Sequence, residues 1–245
     1  VAPPAGRPTV SFVIPALNEE ANIADAVREA VAAMGGRFGD YELLLFDDGS
    51  TDRTGAIMDA LAAADPQHIR VTHNPAPRNL GGVYKQGIEQ ARMDYILMVP
   101  GDNENPGHAL QAPFDAVGGA DIVLPYPVNS AVRGATRHLV SRVYVGLLNR
   151  LFGLRVRYYN GTVIHRTANL KSLPVKTSSF AYQAEILIKL LCAGKSFVEV
   201  PIRIDPPKAG RRSRAFRWKN MVQVGRTLGD LFLDVRIRRP LGFGR

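Results

Sequence analysis

The sequence predicts an α/β fold: a mostly parallel sheet flanked by helices on both faces, with an amphipathic helix at the C-terminal end. Two observations predict it. Apolar, strand-like runs alternate with helical patterns through the first half of the chain, the rhythm that builds βαβ units. Several of those runs also break abruptly into carboxylates, amides and turn formers. In an open α/β sheet such polar groups collect just beyond the carboxyl ends of the strands, where ligands bind.

Taken in order, Thr9–Ile14 reads as a buried strand, followed by a helix from about Glu20 to Met34. Glu42–Phe46 is a second strand, and 51–64 a helix expected to be capped by Ser50 or Thr51. Ile69–Thr72 is a short third strand, 81–91 a helix, 95–99 a fourth strand, 106–117 a helix and 121–124 a fifth strand. The second half is less regular. Leu139, Val140, Val143, Tyr144, Leu147, Leu148, Leu151 and Phe152 form one apolar helix face, expected to be buried rather than turned to a membrane. A strand over 161–165, a helix over 182–193, a strand over 197–204 and a final amphipathic helix over 216–235 complete the reading.

At 245 residues the chain has enough length for one large domain or a domain with an appendage. The division expected is a flexible lead-in over 1–8, a main domain over 9–205, and a basic loop with the amphipathic helix over 206–245. The lead-in lacks the charged and apolar regions of a signal peptide, and no apolar run reaches the roughly eighteen residues of a spanning helix. The single cysteine, Cys192, cannot form an internal disulfide; it fits a reducing compartment and is expected to be a buried small hydrophobe.

The formal net charge is +9, and the excess is concentrated. Arg203, Lys208, Arg211, Arg212, Arg214, Arg217 and Lys219 fall together with Asp205 as their only acid, and Phe216 and Trp218 interleave them. A solvated surface run is the plain account; a phosphorylated substrate, an anionic membrane surface or nucleic acid are the functional ones. Nucleic acid fits poorly, because the acidic strand ends would repel its backbone and no nucleic-acid motif is present.

Three polar strand ends carry the chemistry: Pro15-Ala16-Leu17-Asn18-Glu19-Glu20, Asp47-Asp48-Gly49-Ser50-Thr51-Asp52 and Pro100-Gly101-Asp102-Asn103-Glu104. Asp47 and Asp48 point to opposite faces, so one can reach a ligand while the other braces the loop. Asp52, Asn18 and Glu19 also suit a helix entry, where such groups are favoured for structural reasons alone. Asp102 and Glu104 flank a single residue and can converge on a hard cation, Mg²⁺ or Mn²⁺, leaving positions for diphosphate oxygens. The five histidines show no i,i+4 pair and no Cys partner, and neither a G-x-S-x-G elbow nor a Walker A sequence occurs.

These segments resemble the signature of the family 2 glycosyltransferases, together with Asn79-Leu80-Gly81-Gly82, Lys85, Gly87, Asn160-Gly161, Glu185, Val198–Ile202 and Ser213-Arg214. The likeness covers roughly residues 9 to 220 and is greatest to the polyprenyl-phosphate sugar transferases. It implies a GT-A fold, a nucleotide-sugar donor (UDP- or GDP-linked), Mg²⁺ or Mn²⁺, inversion at the anomeric carbon, and a peripheral enzyme at the cytoplasmic face of a membrane.

Carried over by position, the resemblance assigns Pro15, Ala16, Asn18, Glu19, Asp48 and Lys85 to the nucleotide, and Asp102 and Glu104 to metal and diphosphate. Arg133, Arg137, Ser213 and Arg214 fall to the acceptor phosphate, with Asp102, Arg137 and Arg214 in catalysis. Should the acceptor be a hydroxyl instead, a base is needed, and Glu185 is the candidate. Two positions depart from the pattern. Pro100 replaces the first Asp of the usual Asp-x-Asp, leaving either a weaker metal dependence or a larger share for Glu104. Pro127 stands where the lipid-phosphate subgroup carries an arginine, with Arg133 nearby.

Overall fold

The computed structural model describes residues 6–104, 107–178, 181–206, 225, 228–233 and 235. The expected α/β architecture is present. Chain order runs β1 (Thr9–Ala16), α1 (Ile23–Met34), β2 (Asp40–Asp47), α2 (Thr54–Ala64), β3 (Ile69–His73), α3 (Asn79–Gln90), β4 (Tyr95–Met98), α4 (His108–Asp115) and β5 (Ile122–Pro127). A 3₁₀ turn (Ser130–Arg133) leads into α5 (Ala135–Phe152), β6 (Ile164–Arg166), α6 (Thr167–Lys171), α7 (Tyr182–Cys192) and β7 (Phe197–Ile202).

The strands form one sheet in the order β3-β2-β1-β4-β6-β5-β7. All neighbours pair in parallel except the short β6, antiparallel to both β4 and β5. Two reversals restore direction, so the carboxyl ends of β1, β2, β4 and β5 lie along one edge.

Period-two alternation divides each strand between two cores. Val10, Phe12 and Ile14, with Leu43, Leu45 and Leu97, face α1, α2 and α4. Val13, Leu44, Phe46, Ile96 and Met98 face α3, α5, α6 and α7. Helix α3 comes close to β1 at Gly87: a Cβ there would stand 2.4 Å from Val13 Cγ2. Only glycine lets α3 lie this near β1.

Three local expectations fail. α2 begins at Thr54 and is not capped by Ser50 or Thr51; Asp52 Oδ1 instead accepts the Thr54 N–H at 2.9 Å, the structural role open to it from the start. Cys192 is partly exposed rather than buried. The apolar face of α5 is buried only toward its C-terminal half, where Leu148 and Phe152 enter the core. Leu139 and Val143 are 62% and 63% exposed, and Val140 and Leu147 are exposed with them. Helical periodicity reveals an apolar stripe but not what covers it.

Of the final amphipathic segment, Leu231 and Val235 are buried in the same core as α7, and the Phe232 ring meets Phe152 edge-on at 6.3 Å. The described part of that segment therefore packs on the sheet domain. The rest of the predicted basic loop and helix, with Ser213 and Arg214, lies outside the described residues.

Candidate active site

β1 lies between β2 and β4, so the chain order reverses at β1–β4. Such a switch point leaves a crevice outside the carboxyl ends of the strands, and the three polar strand ends meet there. Backbone bonds join them: Asp48 N–H to Ala16 O at 2.9 Å and Gly101 N–H to Pro15 O at 2.9 Å. Gly101 permits the second approach, since a Cβ there would stand 2.8 Å from Ile23 Cδ1 and 3.1 Å from Ala16 Cβ.

The loops after β1 and β2 are laced together. Asn18 N–H donates to Ser50 Oγ at 3.0 Å, and Asn18 Oδ1 accepts from Thr51 N–H at 2.8 Å. Glu19 N–H donates to Thr54 Oγ1 at 2.8 Å, and Glu20 accepts the Arg53 N–H at 3.1 Å. Asn18 and Glu19 thus serve the loop architecture, and Glu19 also holds Asn22 at the entry to α1.

Among the described residues, the non-glycine positions with positive φ are Asn18 (56°), Asn79 (63°) and Asn103 (52°). Asn18 and Asn103 sit in the loops after β1 and β4, and Asn79 opens α3. Left-handed backbone is uncommon outside glycine, asparagine tolerates it best, and its clustering is a mark of functional loops.

Both carboxylates of the Asp47-Asp48 pair are engaged. Asp47 Oδ1 accepts the Ser50 N–H at 2.9 Å, and Oδ2 lies 3.1 Å from His73 Nδ1. His73 Nε2 lies 3.0 Å from Asp59 Oδ1 on α2. Burial pushes the Asp47 carboxyl up, but the Ser50 and His73 hydrogen bonds outweigh it and hold it below its ordinary value. The same contacts, to Asp47 first and then Asp59, raise the His73 imidazole. Asp48 turns to the start of α3. Its Oδ1 accepts from Arg78 N–H at 2.8 Å and Asn74 Nδ2 at 3.0 Å, and its Oδ2 from Asn79 N–H at 3.1 Å. This carboxylate holds the positive end of α3 at the crevice.

Asp102 and Glu104 share one turn, in which Asp102 Oδ1 accepts the Glu104 N–H at 3.1 Å. Glu29 on α1 fastens the turn through Asn103 Nδ2 at 3.1 Å and Gly107 N–H at 3.3 Å. No group of three His, Cys, Asp or Glu suited to a metal occurs among the described residues. Two hard carboxylates on one turn fit Mg²⁺ or Mn²⁺, which commonly take one or two protein carboxylates and complete their shell with phosphate and water.

Of the residues expected to meet an acceptor phosphate, Arg137 sits in the first turn of α5, partly exposed, after a 3₁₀ turn that leaves β5 at the same sheet edge. Nothing is described of the Arg133 side chain. Asn129 exchanges hydrogen bonds with the Ile204 backbone at 2.9 and 3.0 Å, so the chain enters the basic stretch beside that 3₁₀ turn. Lys85 on α3 donates to Lys176 O at 3.3 Å, bridging to the segment before α7. Glu185 is 3% exposed, and both its oxygens accept backbone N–H groups of that segment. A general base must reach the acceptor's proton; this carboxylate is directed at the protein's own backbone.

Sequence reading missed Glu29, Asn74, His73 and the 174–178 segment. None carries a local signal, because each acts through a partner twelve or more residues away, or through a main-chain atom.

The sequence profile described as Glycosyl transferase family 2 matches residues 11–173. Polyprenol monophosphomannose synthase of Mycolicibacterium smegmatis is 28% identical over 225 residues, 85% of this chain and 82% of that protein. Undecaprenyl-phosphate 4-deoxy-4-formamido-L-arabinose transferase of Shewanella sediminis is 29% identical over 195 residues. The match takes in 72% of this chain but only 57% of that longer relative. Among solved structures, glucosyl-3-phosphoglycerate synthase from Mycobacterium tuberculosis, in complex with Mn²⁺, UDP and glucosyl-3-phosphoglycerate, superposes with a TM-score of 0.66. Identity there is 21%, with 93% of this chain and 79% of that one covered, a likeness of fold. The same enzyme was also crystallised with Mg²⁺ and UDP.

Proposed function

The chain belongs to glycosyl transferase family 2, and from that premise we propose that it moves a sugar from a nucleoside diphosphate donor to a polyprenyl phosphate, with inversion. The observation that carries the donor half is the meeting of three acidic or amide-rich strand ends at one switch point, each held by a left-handed asparagine or its neighbours. The acceptor half is supported by the likeness to polyprenol monophosphomannose synthase, which extends along most of both chains.

In this reading the crevice between Pro15, Ala16, Asn18, Glu19 and Asp48 receives the nucleoside, with Lys85 toward the phosphates. Asp102 and Glu104 hold a divalent cation. When bound, that cation supplies Lewis-acid neutralisation of the departing diphosphate. Arg137, Arg133, Ser213 and Arg214 receive the acceptor phosphate, for which guanidinium geometry is suited. A phosphate oxygen of the acceptor forms the new bond to the anomeric carbon from the face opposite the donor diphosphate. The breaking C–O bond leaves its electron pair on the nucleoside diphosphate. The attacking oxygen is already ionised near neutral pH, so no carboxylate base is required. This agrees with the commitment of Glu185 to backbone partners.

A polyprenyl phosphate lies in a bilayer, and the exposed stripe of α5 offers the means to meet it. Leu139, Val140, Val143 and Leu147 are bare, with Arg137 and Arg142 on the same helix. Apolar residues flanked by arginines suit an anionic interface. No described helix is long and apolar enough to cross a membrane. The attachment proposed from the α5 stripe is peripheral, at the cytoplasmic face.

Calorimetric titration with UDP, GDP and their glucose and mannose conjugates, with and without Mn²⁺, tests the donor half. One nucleotide should bind, more tightly with metal. Addition of polyprenyl phosphate should then yield a lipid-linked sugar. Nucleotide binding with transfer only to soluble hydroxyl compounds would defeat the acceptor assignment, and no nucleotide binding with or without polyprenyl phosphate would defeat the whole reading.

A further inference from the structure

Residues 174–178, which join α6 to α7 without regular structure, are fastened from two sides. From α7, Glu185 Oε1 accepts the Lys176 N–H and Oε2 the Thr177 N–H, each at 2.9 Å. Lys189, one turn further on, pairs with the same carboxylate and donates to Pro174 O at 2.6 Å. From α3, Lys85 Nζ reaches Lys176 O at 3.3 Å. Ser178 then lies flat on the first turn of α3: a Cβ on Gly81 would stand 2.7 Å from its carbonyl carbon. That helix start is the one whose Arg78 and Asn79 N–H groups hold Asp48.

The Glu185 and Lys189 side chains are 3% and 11% exposed. Burying an ion pair costs desolvation that Coulomb attraction only partly repays, and two apolar side chains would pack as well at these positions. What apolar residues cannot do is hold two N–H groups and one carbonyl of an irregular segment. An unpaired main-chain group in that setting would be costly.

We propose that Glu185 and Lys189 are positioning residues that clamp 174–178 as a fixed wall along the start of α3, and that this wall sets affinity for the diphosphate-sugar end of the donor. The inference rests on the donor site proposed above. The wall holds the ammonium of Lys85, assigned above to the donor phosphates, through Lys176 O, and lies against the first turn of α3 at Gly81, so the clamped segment decides where that charge stands. Glu185 acts through the wall rather than on the reacting atoms.

The test compares the full chain with Glu185→Gln, Lys189→Met and Gly81→Ala, titrating UDP- and GDP-linked glucose and mannose in Mn²⁺ by calorimetry. Melting curves check folding, and steady-state rates are taken across pH. Gln keeps the size of Glu but can accept only one of the two N–H groups; Ala at 81 pushes the same segment from the opposite side. Donor Kd should rise about tenfold or more in Glu185→Gln and Gly81→Ala and by less in Lys189→Met, the scale of about one lost hydrogen bond. The kcat at saturating donor and its pH profile should stay close to wild type. Unchanged donor affinity with a collapsed kcat and a lost acidic limb in Glu185→Gln would make Glu185 a base and overturn the proposal. Unchanged affinity and rate in all three variants would overturn it equally. If Glu185→Gln does not fold, Gly81→Ala and Lys189→Met decide alone. Wild-type protein that binds none of the nucleotide sugars would refute the donor site itself, a separate result.

Discussion

Glu29 of α1 accepts a hydrogen bond from the Asn103 side chain at 3.1 Å, and so holds from a regular helix the left-handed residue that separates Asp102 from Glu104. Its second oxygen takes the Gly107 N–H at 3.3 Å, where the chain enters α4. If Asp102 and Glu104 hold a cation as proposed, the shape of their turn depends on this outer support from α1.

Glu29→Ala should therefore weaken the metal-dependent part of nucleotide binding while leaving metal-free binding nearly unchanged. Loss of a residue that orients ligands typically costs about 10- to 100-fold in metal affinity. Titration of Mn²⁺ into the protein saturated with nucleotide measures it, and equal Mn²⁺ affinity in the variant would mean that the turn holds its shape alone.

Asp48→Asn tests the anchor at the start of α3. The carboxylate accepts from Arg78, Asn79 and Asn74, and an amide has only one oxygen to offer the three donors. Replacing an acceptor at a helix start costs roughly 1–2 kcal/mol, so denaturant unfolding should show a loss of that order. Nucleotide affinity should fall as well, since the loop and helix that line the crevice are joined through this side chain.

His73 makes stability depend on pH. Its imidazole, set between Asp47 and Asp59, is raised above 6.5 by those two carboxylates. A raised folded-state value means that protonation favours the fold: the contribution is complete below the unfolded value and disappears as pH climbs through the folded one. Asp47 works in the opposite sense, since its lowered value gives a contribution lost only in acid, as pH falls through it. His73→Gln should thus cost stability at pH 6 and little at pH 8.5. The His73 side chain is half exposed, so a difference of about 0.5 kcal/mol is expected. Denaturant midpoints at the two pH values give the result; an equal loss at both would show that the ring acts by packing.

The parts of this site that were legible in the sequence are those written in one stretch of chain. Apolar runs ending in Asp47-Asp48 or Pro100–Glu104 state both a strand and its polar end, and β1, β2 and β4 appear where expected. Gly87, visible only as a motif position, has its physical reason in the 2.4 Å approach to Val13. What was not legible depends on pairings between distant segments. The lacing of Asn18 to Thr51 replaces the anticipated cap by Ser50 or Thr51. Glu185 looks like a free carboxylate until Lys176 and Thr177 fold back onto it. β6 spans only Ile164–Arg166, and its antiparallel direction comes from the sheet rather than its own residues.

The α5 stripe yields the most direct test of membrane contact. Leu139 and Val143 are 62% and 63% exposed, so Leu139→Glu and Val143→Glu remove apolar surface without opening the core. Substitutions at such positions usually change stability by less than about 0.5 kcal/mol, and melting temperature should hold. Each leucine or valine side chain inserted at an interface contributes on the order of 1.5–3 kcal/mol at full burial, so the double variant should lose most of its sedimentation with vesicles containing anionic lipid. Transfer to a long-chain polyprenyl phosphate in those vesicles should fall with it. Transfer to a short, water-soluble analogue should not, because Arg137 and the crevice are untouched. If vesicle binding survives both substitutions, α5 does not face the membrane, and its bare residues have some other cover.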